Sequence, residues 1–125
     1  MSNERSHRIN WFEIPVHDLD AASKLYSAML GYELKREVLW DIPHAILAAQ
    51  GEGVTGTLIS DPRRLPKSRG GTTVYLHAPD GVAACLARAV EAGAKVVQPT
   101  TDIAPFGTMA LIEDFDGNLV GLHAR

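Results

Sequence analysis

The side chains in this chain that could do chemistry are a few carboxylates and imidazoles and one thiol. Glu13 lies in an apolar-alternating run, His44 follows Pro43, His77 closes a second alternating run and His123 stands near the C-terminal end. A carboxylate beside an imidazole raises the imidazole's pKa, fixes its tautomer and can serve with it as a general acid/base pair; the same two groups can equally form an inert hydrogen bond. Cys85 sits between Ala84 and Leu86 in an Ala-rich stretch, a setting for a buried, unreactive thiol rather than a nucleophile. His17 precedes a turn Asp and reads as exposed, and His7 lies in the polar start. The sequence holds no Gly-rich phosphate loop, Ser-centred elbow or Cys-pair zinc spacing. Trp11, Trp40, Tyr75 and Phe106 add aromatic surface for a flat or apolar ligand, although aromatics at strand spacing are more often plain core.

What must position these residues is a repeat. Asp18 and Asp80 share an offset of 62 residues with Gly31 and Gly93, so the chain reads as two copies of one unit that gain a shared core and a shared concavity by pairing. In the first copy, alternation from Trp11 to Val16 predicts a strand with Phe12, Ile14 and Val16 on one face and Trp11, Glu13 and Pro15 on the other. Asp18 or Asp20 caps a helix through Ala21, Leu25, Tyr26, Met29 and Leu30, and Gly31 ends it. Strands follow at 33–39, 44–49 and 54–60, with a break at Gly51-Glu52-Gly53. The second copy repeats the order: a strand at 73–78, a helix from Asp80 or Gly81 to Ala92, and strands at 95–98, 109–113 and 119–123, the last entered through the turn Asp116-Gly117-Asn118. The Pro-, Gly- and cation-rich stretch 61–71 links the copies. It reads as a solvated crossover loop, with a mobile lid offering cations to an anionic ligand as the sharper alternative.

Composition narrows the function classes. A chain of 125 residues that is 46% hydrophobic makes one domain hiding roughly two-thirds of its unfolded surface, with each half marginal alone. A net charge of −3 gives no attraction toward nucleic acid or anionic membrane. One cysteine excludes an intrachain disulfide and fits a reducing compartment, Met1 to Asn10 carry no apolar signal core, and no apolar run approaches the ~20 residues of a membrane span. The expectation is a soluble cytoplasmic protein without nucleic-acid or membrane partners.

Three stretches together carry a resemblance: Trp11-Phe12-Glu13-Ile14-Pro15-Val16-His17-Asp18-Leu19, the helix end Met29-Leu30-Gly31-Tyr32-Glu33, and Glu113-Asp114-Phe115-Asp116-Gly117-Asn118-Leu119-Val120. Their order resembles the vicinal oxygen chelate superfamily, the glyoxalase, bleomycin-resistance and extradiol-dioxygenase group, over about residues 9 to 123. The resemblance implies an α+β fold: two tandem βαβββ modules, 9–60 and 72–124, curled into an eight-stranded mixed sheet with helices on the outer face, as a single domain. It does not choose among isomerases, lyases, dioxygenases and drug-binding proteins.

The resemblance also implies where a divalent metal would be held, on the first and last strand of each module, facing into the cup. Those positions fall here on Trp11, Thr73, Gly121 and, near the end of the first copy, Ile59, none of which suits such a site. A slip along the strands that keeps the face would instead offer Glu13, Tyr75 or His77, and His123, of which Glu13, His77 and His123 make a set of one carboxylate and two imidazoles. With the first strands side by side, as the resemblance implies, Glu13 would face His77 across the cup as the acid/base pair. The expected function is therefore binding of a small organic molecule in a cup lined by Trp11, Glu13, Trp40, His44, Thr73, Tyr75, His77, Phe106 and Gly121, without a cofactor. The alternative is a superfamily lyase, isomerase or dioxygenase using the shifted metal set or the Glu13/His77 pair. Open sheet edges make a symmetric homodimer the default, its cup closed within one chain or by a strand-swapped neighbour.

Overall fold

In the computed structural model, residues 8–9, 11–48, 53–66 and 71–125 are described. The start 1–7, the Gly51-Glu52 part of the expected break and Lys67-Ser68-Arg69-Gly70 of the linker lie outside them. Ten elements follow in chain order: β1 (Trp11–Pro15), α1 (Leu19–Leu30), β2 (Lys35–Leu39), β3 (Ile42–Ile46), β4 (Thr55–Ile59), β5 (Val74–His77), α2 (Val82–Glu91), β6 (Lys95–Asp102), β7 (Thr108–Glu113) and β8 (Leu119–Ala124). The order is β-α-β-β-β twice.

The helices start and stop where local chemistry requires. Asp18 caps α1, its Oδ1 accepting the Ala21 amide at 3.1 Å and so satisfying one of the orphan donors of the first turn. Gly31 ends α1 at φ +84, a left-handed conformation that costs glycine little. Leu19, Ala22, Leu25, Tyr26, Met29 and Leu30, spaced three and four apart, form its buried face. Helix α2 has Gly81 in place of a side-chain cap and buries Val82, Cys85 and Ala89. Arg88 couples the two helices: its Nε donates to the Ala28 and Met29 carbonyls at 3.1 and 3.2 Å, while its two terminal nitrogens clasp Asp80 at 2.8 Å each. The free carbonyls at the end of α1 thus find a donor on α2.

Each module makes its own four-stranded mixed sheet, ordered β1-β4-β3-β2 and β5-β8-β7-β6. Strand β1 runs parallel to β4, with Glu13 opposite Thr57 and Pro15 opposite Ile59; β5 runs parallel to β8, with Tyr75 opposite Gly121 and His77 opposite His123. One face of each sheet packs on the helices, so that Ile14, Val16, Ala45 and Leu58 join Leu76, Ala78, Ala110, Ile112 and Leu122 in one core. Each buried Ile, Leu or Val among them stabilises the fold by roughly 1.5–3 kcal/mol.

Three details differ from expectation. Strand β3 begins at Ile42, because Trp40 and Asp41 at φ +51 and +63 make a tight two-residue hairpin turn that their residue types do not advertise. Strand β6 continues through Pro99 to Asp102, the proline being accommodated where the register with β7 shifts between Gln98 and Thr101. Most consequential, β1 and β5 are the outer strands of separate sheets, and no Cα of one comes within 8 Å of a Cα of the other. Within one chain the first strands are not side by side.

Besides the α1–α2 contact through Arg88, the modules are joined through the β7–β8 turn. Buried Asp114 accepts the Tyr26 hydroxyl at 2.8 Å, the Asn118 side-chain amide at 2.9 Å and the backbone amides of Asp116 and Asn118, both at 2.9 Å. Asn118 Nδ2 also donates to the Pro15 carbonyl at 2.9 Å, and Asp116 accepts the His17 amide at 2.8 Å. Burial first, and then the Asp114 charge, push the Tyr26 phenol well above its ordinary pKa, so it remains a donor.

Candidate functional site

Because Ile14 and Val16 turn into the core, Trp11, Glu13 and Pro15 turn to the opposite face of the first sheet. The register places Thr57 and Ile59 of β4 beside them and His44 of β3 beside Ile59. A concavity of about 450 Å³ opens there, lined by Trp11, Phe12, Glu13, Pro15, Ile59 and Arg64. A second, of about 280 Å³, adjoins it where β1 meets the other module, between Glu13, Pro15, Leu65, Thr72, Val74 and Leu119.

The polar part of the larger concavity is an ion-pair chain rooted in the linker. Asp61, its side chain 1% exposed, accepts the Arg63 amide at 2.9 Å, Arg63 Nε and Nη2 at 3.2 and 3.3 Å and Arg64 Nε at 3.2 Å. These bonds, Arg63's first, hold the Asp61 carboxyl down to about 2. Arg64 Nη1 reaches across to Glu13 Oε1, and Glu13 Oε2 takes a long 3.4 Å bond from the Trp11 indole. Glu13, then Asp61, hold the Arg64 guanidinium all the more firmly protonated.

The expected Glu13/His77 pair is not formed within the chain. Glu13 has Arg64 and Trp11 as partners, and β1 and β5 stand apart. His44 lies on the expected face but is buried, its Nδ1 carrying the proton it donates to the Ile42 carbonyl at 2.8 Å. Trp40, 85% exposed at the β2–β3 tip, lines neither concavity. Phe106 is exposed too, and its carbonyl accepts His123 Nε2 at 2.6 Å. On the second sheet Thr73, Tyr75 and His77 face away from the core formed by Leu76 and Ala78, beside Gly121 and His123. Cys85 is buried, and burial first raises its thiol pKa, which fits the unreactive reading.

The residues present do not fit the metal site that the resemblance implies. Trp11, Thr73 and Gly121 stand at three of its positions. The structural repeat corrects the fourth: the amides of Val16 and Ala78 bond to the carbonyls of Ile59 and His123, so Ile59 matches His123 and the counterpart of Gly121 is Thr57. Its hydroxyl lies 3.0 and 2.8 Å from the Ala45 and Leu58 carbonyls. At Gly121 no side chain has room, since a Cβ there would lie 2.3 Å from Tyr75 Cδ2. Among the described residues no three His, Cys, Asp or Glu side chains gather as a metal-holding group, so Glu13, His77 and His123 are not brought together. Also among them, no helix is long and apolar enough to cross a membrane.

Trp11 and Glu13 lie on the face that strand alternation predicts, whereas Ile59 and Arg64 line the concavity without having been expected there. Arg64 had a signal, the cations of the linker; its return across the sheet to Glu13 is a long-range contact with no local signature.

Comparison with known proteins agrees with this architecture. Residues 8–122 match the Glyoxalase/Bleomycin resistance protein/Dioxygenase superfamily. Among solved structures, a glyoxalase/bleomycin resistance protein from Streptomyces sp. CB03234 is 29% identical with a TM-score of 0.69, covering 91% of this chain and 97% of its own. TnmS3, an antibiotic binding protein from the same organism, is 27% identical with a TM-score of 0.68, covering 97% and 98%. A glyoxalase/bleomycin resistance protein from Albidiferax ferrireducens T118, 20% identical with a TM-score of 0.70 over 95% and 100%, shows the shared fold. No match was found among curated proteins.

Proposed function

The chain belongs to the Glyoxalase/Bleomycin resistance protein/Dioxygenase superfamily, and from that membership we propose that it binds a small organic molecule on the face formed by Trp11, Glu13, Pro15 and Ile59. The observation that carries this reading is the concavity of about 450 Å³, apolar on Trp11, Phe12, Pro15 and Ile59 and polar only at Glu13 and Arg64. Ligand sites have this composition and a volume of roughly 300–1,000 Å³. The likeness to an antibiotic binding protein at 27% identity supports the same class of ligand.

Binding is proposed to need no metal, because Trp11, Thr73 and Gly121 occupy the positions from which such ligands would come. It is also proposed to use a second copy of the chain. Strands β1 and β5 each have one edge without a partner strand among the described residues, and Trp11 and Tyr75 on them stay about half exposed; setting β1 of one copy beside β5 of another would satisfy both edges and close the cup.

The test is a titration with flat aromatic compounds followed by the indole N–H resonances of the two tryptophans. Trp11 should shift saturably while Trp40, at the exposed hairpin tip, stays put. A panel that leaves Trp11 unmoved, or moves both alike, overturns the reading. A stoichiometric divalent ion in freshly purified protein that disappears on His77→Ala would overturn its metal-free form.

A further inference from the structure

The geometry points to Arg64 as the residue that selects the ligand, and to an aromatic compound with an acceptor oxygen on its rim, a carbonyl or carboxylate, as the class selected. This rests on the cup proposed above. Hydrogen-bonding capacity in the larger concavity is unevenly spent. Of its two polar side chains, Glu13 already accepts at each oxygen, at Oε1 from Arg64 and at Oε2 from the Trp11 indole, whose one donor is thereby used. Arg64 spends Nε on Asp61 and Nη1 on Glu13. Among the described residues nothing takes the two donors of Nη2. Among the described residues the pocket's uncommitted side-chain donors are therefore those of Arg64, set against Glu13 and the apolar wall of Trp11, Phe12, Pro15 and Ile59.

Charge points the same way. Glu13 and Asp61 balance Arg63 and Arg64, so the site is locally neutral; an ammonium on a ligand would compete with Arg64 for Glu13 and lie against a guanidinium. An acceptor oxygen disturbs neither pair. The guanidinium is also held in advance, by Asp61 on one edge and Glu13 on another, with Asp61 in turn anchored by the Arg63 amide at 2.9 Å. A donor fixed before the ligand arrives loses little side-chain freedom on binding, and a bond from a charged donor is about twice as strong as a neutral one. Glu13 is on this view a positioning residue, acting through Arg64.

The experiment compares three compounds with one body and different rims: naphthoate, acetylnaphthalene and naphthylmethylamine, titrated by calorimetry with the Trp11 indole resonance as site marker. The two acceptor compounds should bind about tenfold or more tighter than the amine, and Arg64→Gln should shrink that gap to within about twofold. Should Arg64→Gln fail to fold by circular dichroism, Arg64→Lys decides: it keeps the charge but loses the planar fork, and should cut the preference by about threefold or more. An amine that binds as well as naphthoate, or a preference that survives substitution of Arg64, overturns the inference. Equal binding of all three compounds at Trp11 does so while leaving the cup reading intact, whereas no shift at Trp11 with any of them overturns both.

Discussion

Gly121→Ala, measured alone and with Tyr75→Ala, probes why a position that the family could use for a metal ligand carries no side chain. A Cβ at residue 121 would lie 2.3, 2.6 and 2.7 Å from Cδ2, Cε2 and Cγ of Tyr75, where carbon atoms settle at roughly 3.5–4.0 Å. Gly121 lacks the left-handed backbone seen at Gly31 or Gly107, and the three atoms nearest to that Cβ all belong to the Tyr75 ring. Forcing a methyl into that contact should cost about 1–3 kcal/mol, offset by the ~0.4–1 kcal/mol that Gly→Ala contributes by restricting the unfolded chain. The net expectation is a loss of about 1–2 kcal/mol. In the Tyr75→Ala background the contact is gone and the same substitution should become stabilising by ~0.4–1 kcal/mol. The two effects differ by about 2 kcal/mol, well above the scatter for independent sites. Urea unfolding at a common m-value gives all four stabilities. Gly56→Ala is the control: its Cβ would meet the Phe12 carbonyl oxygen at 2.3 Å as well as Phe12 Cγ at 2.5 Å, so Phe12→Ala should not rescue it. If Gly121→Ala costs the same with and without the Tyr75 ring, the ring does not fill that position and the case against a ligand there fails.

Tyr26→Phe removes the buried bond from α1 to Asp114 and should cost about 1.5–3 kcal/mol, a fall in melting temperature of roughly 5–10 °C; a change under about 1 °C would show that the hydroxyl does not tie the modules together. Asp61, with its carboxyl at about 2 when folded against an ordinary 3.8, stabilises the 61–64 turn fully above about pH 4 and less as the pH falls toward its folded value. The Arg63 amide resonance should follow that titration and be absent from it in Asp61→Asn; a midpoint at the ordinary carboxylate value would refute the arrangement. Light scattering after size exclusion should give the mass of two chains, and a monomer at micromolar concentration would remove the shared cup.

Legibility followed the range of the interactions. Asp18, Gly31 and the alternation of Trp11 to Val16 act over a few residues, so the first helix, the first strand and the face that carries Glu13 could be read directly. The tip of the β2–β3 hairpin could not, because Trp40 and Asp41 at positive φ are held by the strands on either side and not by their own preference. The repeat offset of 62 held from Asp18 to Gly93 but becomes 64 at β4 and β8, where Thr57 matches Gly121. The net lengthening by two residues between α2 and β8 leaves no trace in strand periodicity, and it changed which residue stands at a ligand position.

The amino-acid order by itself determined two βαβββ units, their helix ends and the face on which Trp11, Glu13 and Tyr75 lie. Only the tertiary structure decided who meets whom across the chain: Glu13 with Arg64 of the linker rather than His77, Tyr26 with Asp114, the Tyr75 ring over Gly121, and β1 apart from β5. Caps and alternation are settled by neighbours in sequence, whereas these pairings depend on where the β7–β8 turn docks and how the linker folds back, which the packing of the whole core fixes at once.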